Sequence, residues 1–246
     1  MPRRHFLPRP IGNCVASGTQ TFCVRINRSI LPSGRIGIAV SGGSDSVALA
    51  LLLTKAGKKK NCAKRFVILH VDHGIRSDSA LDYAFTEALA KRLGVPFAGI
   101  HAKVVKQTGE SIEMSARRLR LSFFEECMEK YDLDAIATAH HMDDVAETFL
   151  MRIRRASGPV GLSGIKEKSQ VGKIRFVRPL LGCRDFELKA YLEKFNEKWR
   201  EDWTNDDLTI ERNKVRHTII PFLEKNLDPD LVEHIYKITR LLHLGK

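Results

Sequence analysis

From Ile36 onward the chain alternates short apolar runs with longer amphipathic stretches. The runs I-G-I-A-V (36–40), F-V-I-L-H-V (66–71), F-A-G-I-H-A-K-V (97–104) and A-I-A-T-A (135–139) are nearly continuous in their apolar character. Strands of that kind are buried on both faces. Between and after them, residues 45–56, 78–93, 111–130 and 143–155 have helical length and period. Strand followed by helix, repeated, predicts an α/β fold: a doubly wound, mostly parallel sheet with right-handed crossovers and helices on both faces. In such a sheet ligands bind beyond the carboxyl ends of the strands.

Further along, R-F-V-R-P-L-L (175–181) reads as another strand, and residues 184–196 as a helix. A polar loop and a basic segment ending at Pro221 follow. Asp228 and Pro229 then introduce a last helix, 230–244, with Leu231, Ile235, Ile238, Leu241 and Leu242 at helical spacing. It is either a packing element or a stalk. Three regions result: a flexible basic leader over 1–30, a catalytic domain over 31–223, and a short helical extension or linker over 224–246.

The strand tips carry the unusual residues. The first runs into Ser41-Gly42-Gly43-Ser44-Asp45-Ser46 and then the apolar helix V-A-L-A-L-L-L. Two glycines let the backbone turn tightly against a ligand, and the free N–H groups of the next helix point at an anion. The loop is a phosphate cradle without the G-K-[ST] ending that would supply a lysine. A carboxylate inside an anion site repels its ligand unless a cation bridges them, so Asp45 reads as a Mg²⁺ ligand, or else as an acid favoured by the helix dipole.

At the fourth strand's tip lies H-H-M-D-D-V-A-E, bringing His140, His141, Asp143, Asp144 and Glu147 together. The helix there would bury Ala146, Phe149, Leu150 and Ile153 and carry Asp143 and Glu147 along one flank. Zinc is one candidate for such a cluster; hard oxygen ligands beside a phosphate loop favour Mg²⁺, with Asp45, Asp143 and Asp144 as its ligands. Individually, each acid also suits a helix cap.

Composition narrows the field. The chain has 246 residues, enough for one sizeable core. No apolar run spans a bilayer, so no membrane partner is expected. Cys14, Cys23, Cys62, Cys127 and Cys183 are scattered and never C-x-x-C, which argues against a disulfide framework, zinc or an iron–sulfur cluster and for a reducing, cytoplasmic setting. Arg3, Arg4, Arg9, Arg25 and Arg28 precede the first acid, Asp45, and the net charge is +12. Such an excess suits a polyanionic partner, as it suits a plain solvated surface.

The ordered set S-G-G-S-D-S, V-D-H-G-I-R (71–76), E-M-S-A-R (113–117), A-T-A-H-H-M-D-D-V-A-E-T (137–148), G-L-S-G-I (161–165) and W-R-E-D-W-T-N-D-D-L-T-I-E-R-N-K-V-R (199–216) resembles the tRNA(Ile)-lysidine synthase family, a branch of the N-type ATP pyrophosphatases (PP-loop, adenine nucleotide alpha hydrolase-like). The likeness runs from about residue 34 to 223. Departures are Ile75 where leucine is commoner and R-A-S-G (155–158) where R-G-S-G is usual. Many such proteins continue into C-terminal tRNA-binding domains, whereas this sequence ends at Lys246, which reads as a short form or a truncated chain.

The resemblance implies a ligase that joins free L-lysine to C2 of the wobble cytidine of the CAU-anticodon isoleucine tRNA, using ATP and Mg²⁺. In that scheme Ser41 to Ser46 hold the pyrophosphate portion, while Ala39, Val40 and His70 flank the nucleoside. Asp45, His140, Asp143, Asp144 and Glu147 form the catalytic group, with His140 or Asp144 taking the proton of the lysine amine. Arg117 would meet the lysine α-carboxylate, unless it pairs with Glu113 on its own helix. Arg152, Arg154, Arg155, Arg212, Lys214 and Arg216 would track the RNA backbone. Trp199 and Trp203 would stack a base or pack inside. A homodimer is compatible with the sequence. The competing readings are a tRNA sulfurtransferase on the same scaffold, which should need a cysteine pair, and an RNA-binding module without catalysis.

Overall fold

Six strands form one sheet: β1 (Arg35–Ala39), β2 (Phe66–Asp72), β3 (Phe97–His101), β4 (Leu133–Ala137), β5 (Lys168–Val171) and β6 (Ile174–Val177). Their spatial order is β3-β2-β1-β4-β6-β5. All neighbours run parallel except β5, which pairs antiparallel with β6 at the edge. This computed structural model describes residues 24, 26–55, 62–74, 79–102, 109–201 and 206–244. Most of the basic leader, Val104, Ile75, Arg76 and the D-W-T-N stretch with Trp203 lie outside them.

The helices are α1 (Ser44–Lys55), α2 (Cys62–Arg65), α3 (Ser79–Leu93), α4 (Ile112–Lys130), α5 (Met142–Arg154), α6 (Pro159–Leu162), α7 (Asp185–Lys194), α8 (Glu211–Lys214), α9 (Ile220–Asn226) and α10 (Leu231–Leu244). Side chains alternate across a strand, so each sheet face gathers its own core. Ile36, Ile38, Ile68, Ala135 and Ala137 pack with residues of α1, α3 and α7. Val67, Leu69, Leu133, Ile136 and Phe176 pack instead on Phe123, Phe124 and Cys127 of α4. The two-sided burial explains why the strand sequences carry so little polar alternation.

The chain leaves β1 toward β2 and β3, then returns past β1 to β4. The reversal opens a crevice at the carboxyl ends of β1 and β4, the switch point of the sheet.

Three local expectations change. β5 was not visible in the sequence: K-S-Q-V has no apolar run, because an edge strand with partly exposed residues needs none. On α5, Ile153 is 51% exposed, and Met142 and Val145 join Ala146 inside. The last helix is a packing element, since Val232 and Ile235 of α10 join Met142 and Ala146 of α5 in a third cluster, while Ile238 and Leu241 face out.

Candidate active site

The turn after β1 is held by its own hydroxyls. Ser46 Oγ donates to Gly43 O at 2.9 Å and accepts from Ser41 N at 3.2 Å. Gly42 has φ +102°, a left-handed conformation that side chains rarely adopt, and is buried. Its carbonyl accepts from Arg200 N at 2.9 Å, and Arg200 Nε in turn donates to Asp82 at 2.9 Å, so the segment that begins at Trp199 folds back over the glycine turn. Trp199 itself packs against the core. Asp45 opens α1, with its side chain about one-third exposed.

The chain past β4 meets this turn. His141, buried at 3% exposure, stands between three acids: its Nε2 is 3.5 Å from Asp45 and 3.6 Å from Asp144, and its Nδ1 is 3.4 Å from Asp143. Burial alone would drive the proton off this imidazole, but the charges and hydrogen bonds of Asp144, Asp143 and Asp45 outweigh it and raise its pKa well above the usual histidine value. His141 is therefore a buried cation at neutral pH. The neighbouring His140 is the reverse case. Burial, opposed by the Asp144 charge and helped by Arg178 and Arg212, lowers it to about 4, and its Nδ1 lies 3.0 Å from Thr138 Oγ1. It is neutral at pH 7.

The acids differ in how far the protein already uses them. Asp144 Oδ2 accepts from His141 N at 3.0 Å, closing the first turn of α5, and Oδ1 accepts from Arg212 at 2.8 Å. Glu147 is fully buried and accepts from Arg212 Nε at 2.6 Å and Arg216 Nε at 2.5 Å. Asp143 turns away: Oδ1 takes Arg184 Nε at 3.0 Å and Oδ2 takes the backbone N–H of Asp185 at 2.8 Å. Burial would raise the Asp143 pKa, yet the His141 bond and charge, Arg184 and the Asp185 amide bring it down to about 2.

A cleft of about 510 Å³ opens at this point. Ala39, Val40, Ser41, Gly43, Asp45, Ser46, Arg117, His140, Asp144 and Arg212 line it. Gly42, Ser44, His70, Asp143, Glu147 and Arg216 stand behind or beside that wall. His70 donates Nδ1–H to Val40 O at 2.8 Å, which fixes its tautomer, and its enclosed Nε2 has no partner. Arg152 bonds Gly161 O, and Arg154 and Arg155 reach Glu211 at 2.7 and 3.9 Å. Thus Arg212 and Arg216, expected on RNA, are held by the acids of α5, and the other three arginines also have protein partners.

Several members escaped the sequence reading. Asp185, at the start of α7, offers an oxygen within 4.8 Å of ligand atoms of Asp45 and His141. Arg120, Arg178, His73 and Thr138 line the cleft. Arg184 is a hub, binding Asp143, Glu224 and Glu233. For most of these the sequence holds no local signal; Asp185 and Glu187 alone read as a helix start, and Glu187 does accept from Arg184 N at 2.8 Å.

The PP-loop domain family matches residues 19–223. The chain belongs to the PP-loop family. Its relatives include the tRNA(Ile)-lysidine synthases of Thermus thermophilus (41% identity over 199 residues, 80% of this chain and 37% of that protein) and of Solibacter usitatus (38% over 200 residues, 81% and 43%). That of Thermotoga maritima is 32% identical over 210 residues, 84% of this chain and 49% of that protein. The chain thus spans less than half the length of these relatives. Among solved structures, the U34-tRNA thiolase NcsA of Methanococcus maripaludis, determined with a 4Fe–4S cluster, superimposes with a TM-score of 0.70 at 19% identity, covering 89% of this chain and 75% of that one. That likeness concerns the PP-loop fold. No described helix is long and apolar enough to cross a membrane.

Proposed function

We propose that this PP-loop protein is a tRNA(Ile)-lysidine synthase: it activates C2 of the wobble cytidine in the CAU-anticodon isoleucine tRNA with ATP and joins free L-lysine there. The observation that carries the reading is the meeting of the glycine turn with the acid and histidine group, joined by His141 and Asp45 at 3.5 Å, in a single cleft. The relatedness to proteins of that name supports it. The cytosine O2 is a poor leaving group; transfer of AMP onto it, with release of pyrophosphate, makes it a good one. Attack of the lysine amine at C2 then expels AMP.

In this scheme the amides of 41–46 cradle the phosphates, and His141 balances the carboxylates that face them. The oxygen donors of Asp45 and Asp185 fit a hard cation, whereas both oxygens of Asp143 already serve Arg184 and Asp185 N–H. Mg²⁺ would therefore be held by Asp45 and Asp185 rather than by Asp143 or Asp144, whose oxygens likewise take the His141 N–H and Arg212, and would supply charge neutralisation during phosphoryl transfer. His140 and Asp144 are the two cleft groups that could take the lysine proton: His140 is neutral but burial makes it a weak base, and Asp144 is kept ionised by its neighbours. The lysine α-carboxylate faces Arg117. Arg154 and Arg155, whose side chains are 67% and 63% exposed, can exchange Glu211 for RNA phosphate at little cost.

Sulfur transfer is the weaker reading. Among the described side chains the thiols of Cys127 and Cys183 are buried in separate core clusters, and burial pushes Cys127 up to about 11. Mass analysis of the CAU-anticodon isoleucine tRNA after incubation with ATP and lysine separates the readings: a lysyl addition is expected, a sulfur addition would replace this reading with thiolation, and an unchanged mass would remove it.

A further inference from the structure

The segment that leads into α7 is stitched to the start of α5. Met142 N donates to Cys183 O at 2.8 Å, Asp185 N to Asp143 Oδ2 at 2.8 Å, and Arg184 Nε to Asp143 Oδ1 at 3.0 Å. Beyond this stitch the same guanidinium reaches the C-terminal helices: Nη1 donates to Glu233 of α10 and Nη2 to Glu224 of α9, both at 2.9 Å. The Arg184 side chain is 13% exposed, and its guanidinium lies 5.4 Å from the Phe186 ring centre. The second oxygen of Glu233 is enclosed and finds no hydrogen-bond partner among the described residues, so this acid depends on Arg184.

For stability alone this is a poor arrangement, since three carboxylates share one cation and each loses water as it closes in. Docking of the last helix does not need it either: Val232 and Ile235 of α10 already pack with Met142 and Ala146 of α5. What the arrangement supplies is direction, because the planar fork of a guanidinium fixes its acceptors at set angles. Two of the groups it fixes belong to the site. Asp143 Oδ2 stands 3.4 Å from His141 Nδ1, and Asp185, the next residue in the chain, offers an oxygen beside Asp45. The Asp185 side chain pairs with the exposed Lys189 at 3.0 Å, a surface contact too weak to hold it in place. Its position is therefore set through the backbone, by Arg184 and Asp143. We propose that Arg184 is a positioning residue: it carries the hold of Glu224 and Glu233 on the C-terminal helices to Asp143 and Asp185, and so sets the oxygen donors that face the cation. This rests on the metal assignment in the reading above and not on the tRNA or the amine.

Binding of Mn²⁺ alone to the full chain, read by electron paramagnetic resonance, tests the assignment and needs neither tRNA nor lysine. The site counted is the one that Asp45→Asn removes. Arg184→Gln is expected to weaken it by on the order of 10- to 100-fold, the usual effect of losing a group that orients a metal ligand. Arg184→Lys, which keeps the charge and loses the fork, should fall between that variant and the parent. The double variant Glu224→Gln and Glu233→Gln alters two residues that do not line the cleft, and should weaken the site by about 10-fold. The apolar contacts of α10 remain in it, so it keeps the test usable should the Arg184 variants fold poorly. Variants that unfold at lower urea yet hold Mn²⁺ as the parent does would make Arg184 a plain fold contact and overturn the proposal. A parent chain without such a Mn²⁺ site would overturn it too. Lysine addition to the tRNA is measured alongside: a parent that adds none, with the Mn²⁺ ordering kept, would remove the ligase reading and leave the role of Arg184 in place.

Discussion

Two adjacent histidines sit in opposite states, and the difference lies in what faces them. His140 is lowered to about 4, chiefly by burial; His141, more deeply buried still, is raised because three carboxylates surround it. Between about pH 4 and 6.5 the unfolded chain binds a proton that folded His140 refuses, so stability should drop by about 3 kcal/mol as pH falls through that window. His141 works the other way: its contribution is complete below 6.5 and is lost as pH rises through its raised folded value. Urea unfolding against pH should therefore peak near neutrality, with His140→Asn flattening the acid limb; an acid limb unchanged by that variant would contradict the neutral state assigned to His140. At the same scale, Asp45→Asn should abolish tRNA-dependent ATP/pyrophosphate exchange while leaving RNA affinity nearly intact. Full exchange activity would take Asp45 out of the phosphate chemistry.

At the scale of elements, the site depends on two junctions. The first is the turn between β1 and α1, where Gly42 has φ +102° beneath Arg200. Gly42→Ala should cost about 1 to 2 kcal/mol in stability and most of the nucleotide binding, read by urea midpoint and by equilibrium dialysis of ATP. Unaltered ATP affinity would show that the turn does not cradle phosphate. The second is the clamp of α5 onto the segment after α8. Glu147 is fully buried, and Arg216, which it binds, lies on a π-helical turn, Val215–Ile219, a form common at functional sites. Removing one partner of a buried pair costs about 3 to 5 kcal/mol; with both arginines partly open to water, Glu147→Ala should cost about 2 to 3 kcal/mol and loosen Arg212 beside Asp144. A variant as stable as the parent would mean that the clamp is ornamental.

For the whole molecule, the net charge of +12 is the quantity that survives local pairing. Several arginines that a linear reading assigns to RNA are already bound to Glu147, Asp144 or Glu211, so the field that the proposed RNA partner would meet comes from the sum and from exposed cations such as Arg154 and Arg155. Release of counterions from a few phosphate contacts predicts tRNA affinity falling by on the order of 100-fold between about 50 and 200 mM salt, measured by filter binding. Affinity indifferent to salt would argue against a basic docking surface.

What the sequence determined by itself is whatever depends on neighbours along the chain: the runs that become β1 to β4, the helices α1, α3, α4 and α5 that follow them, the glycine turn, and the clustering of His140 to Glu147 at one strand tip. Each is set by period, glycine freedom or capping, which act within a few residues. Tertiary structure alone decided the partners of those groups. Glu147 meets arginines 65 and 69 positions away, Asp143 is turned toward Arg184, 41 positions on, and Arg178 joins Arg117 and Arg120 from a different element. A charge has no periodicity to betray its counter-ion; only the packing of remote elements chooses which acid meets an arginine and which arginines are left facing open space.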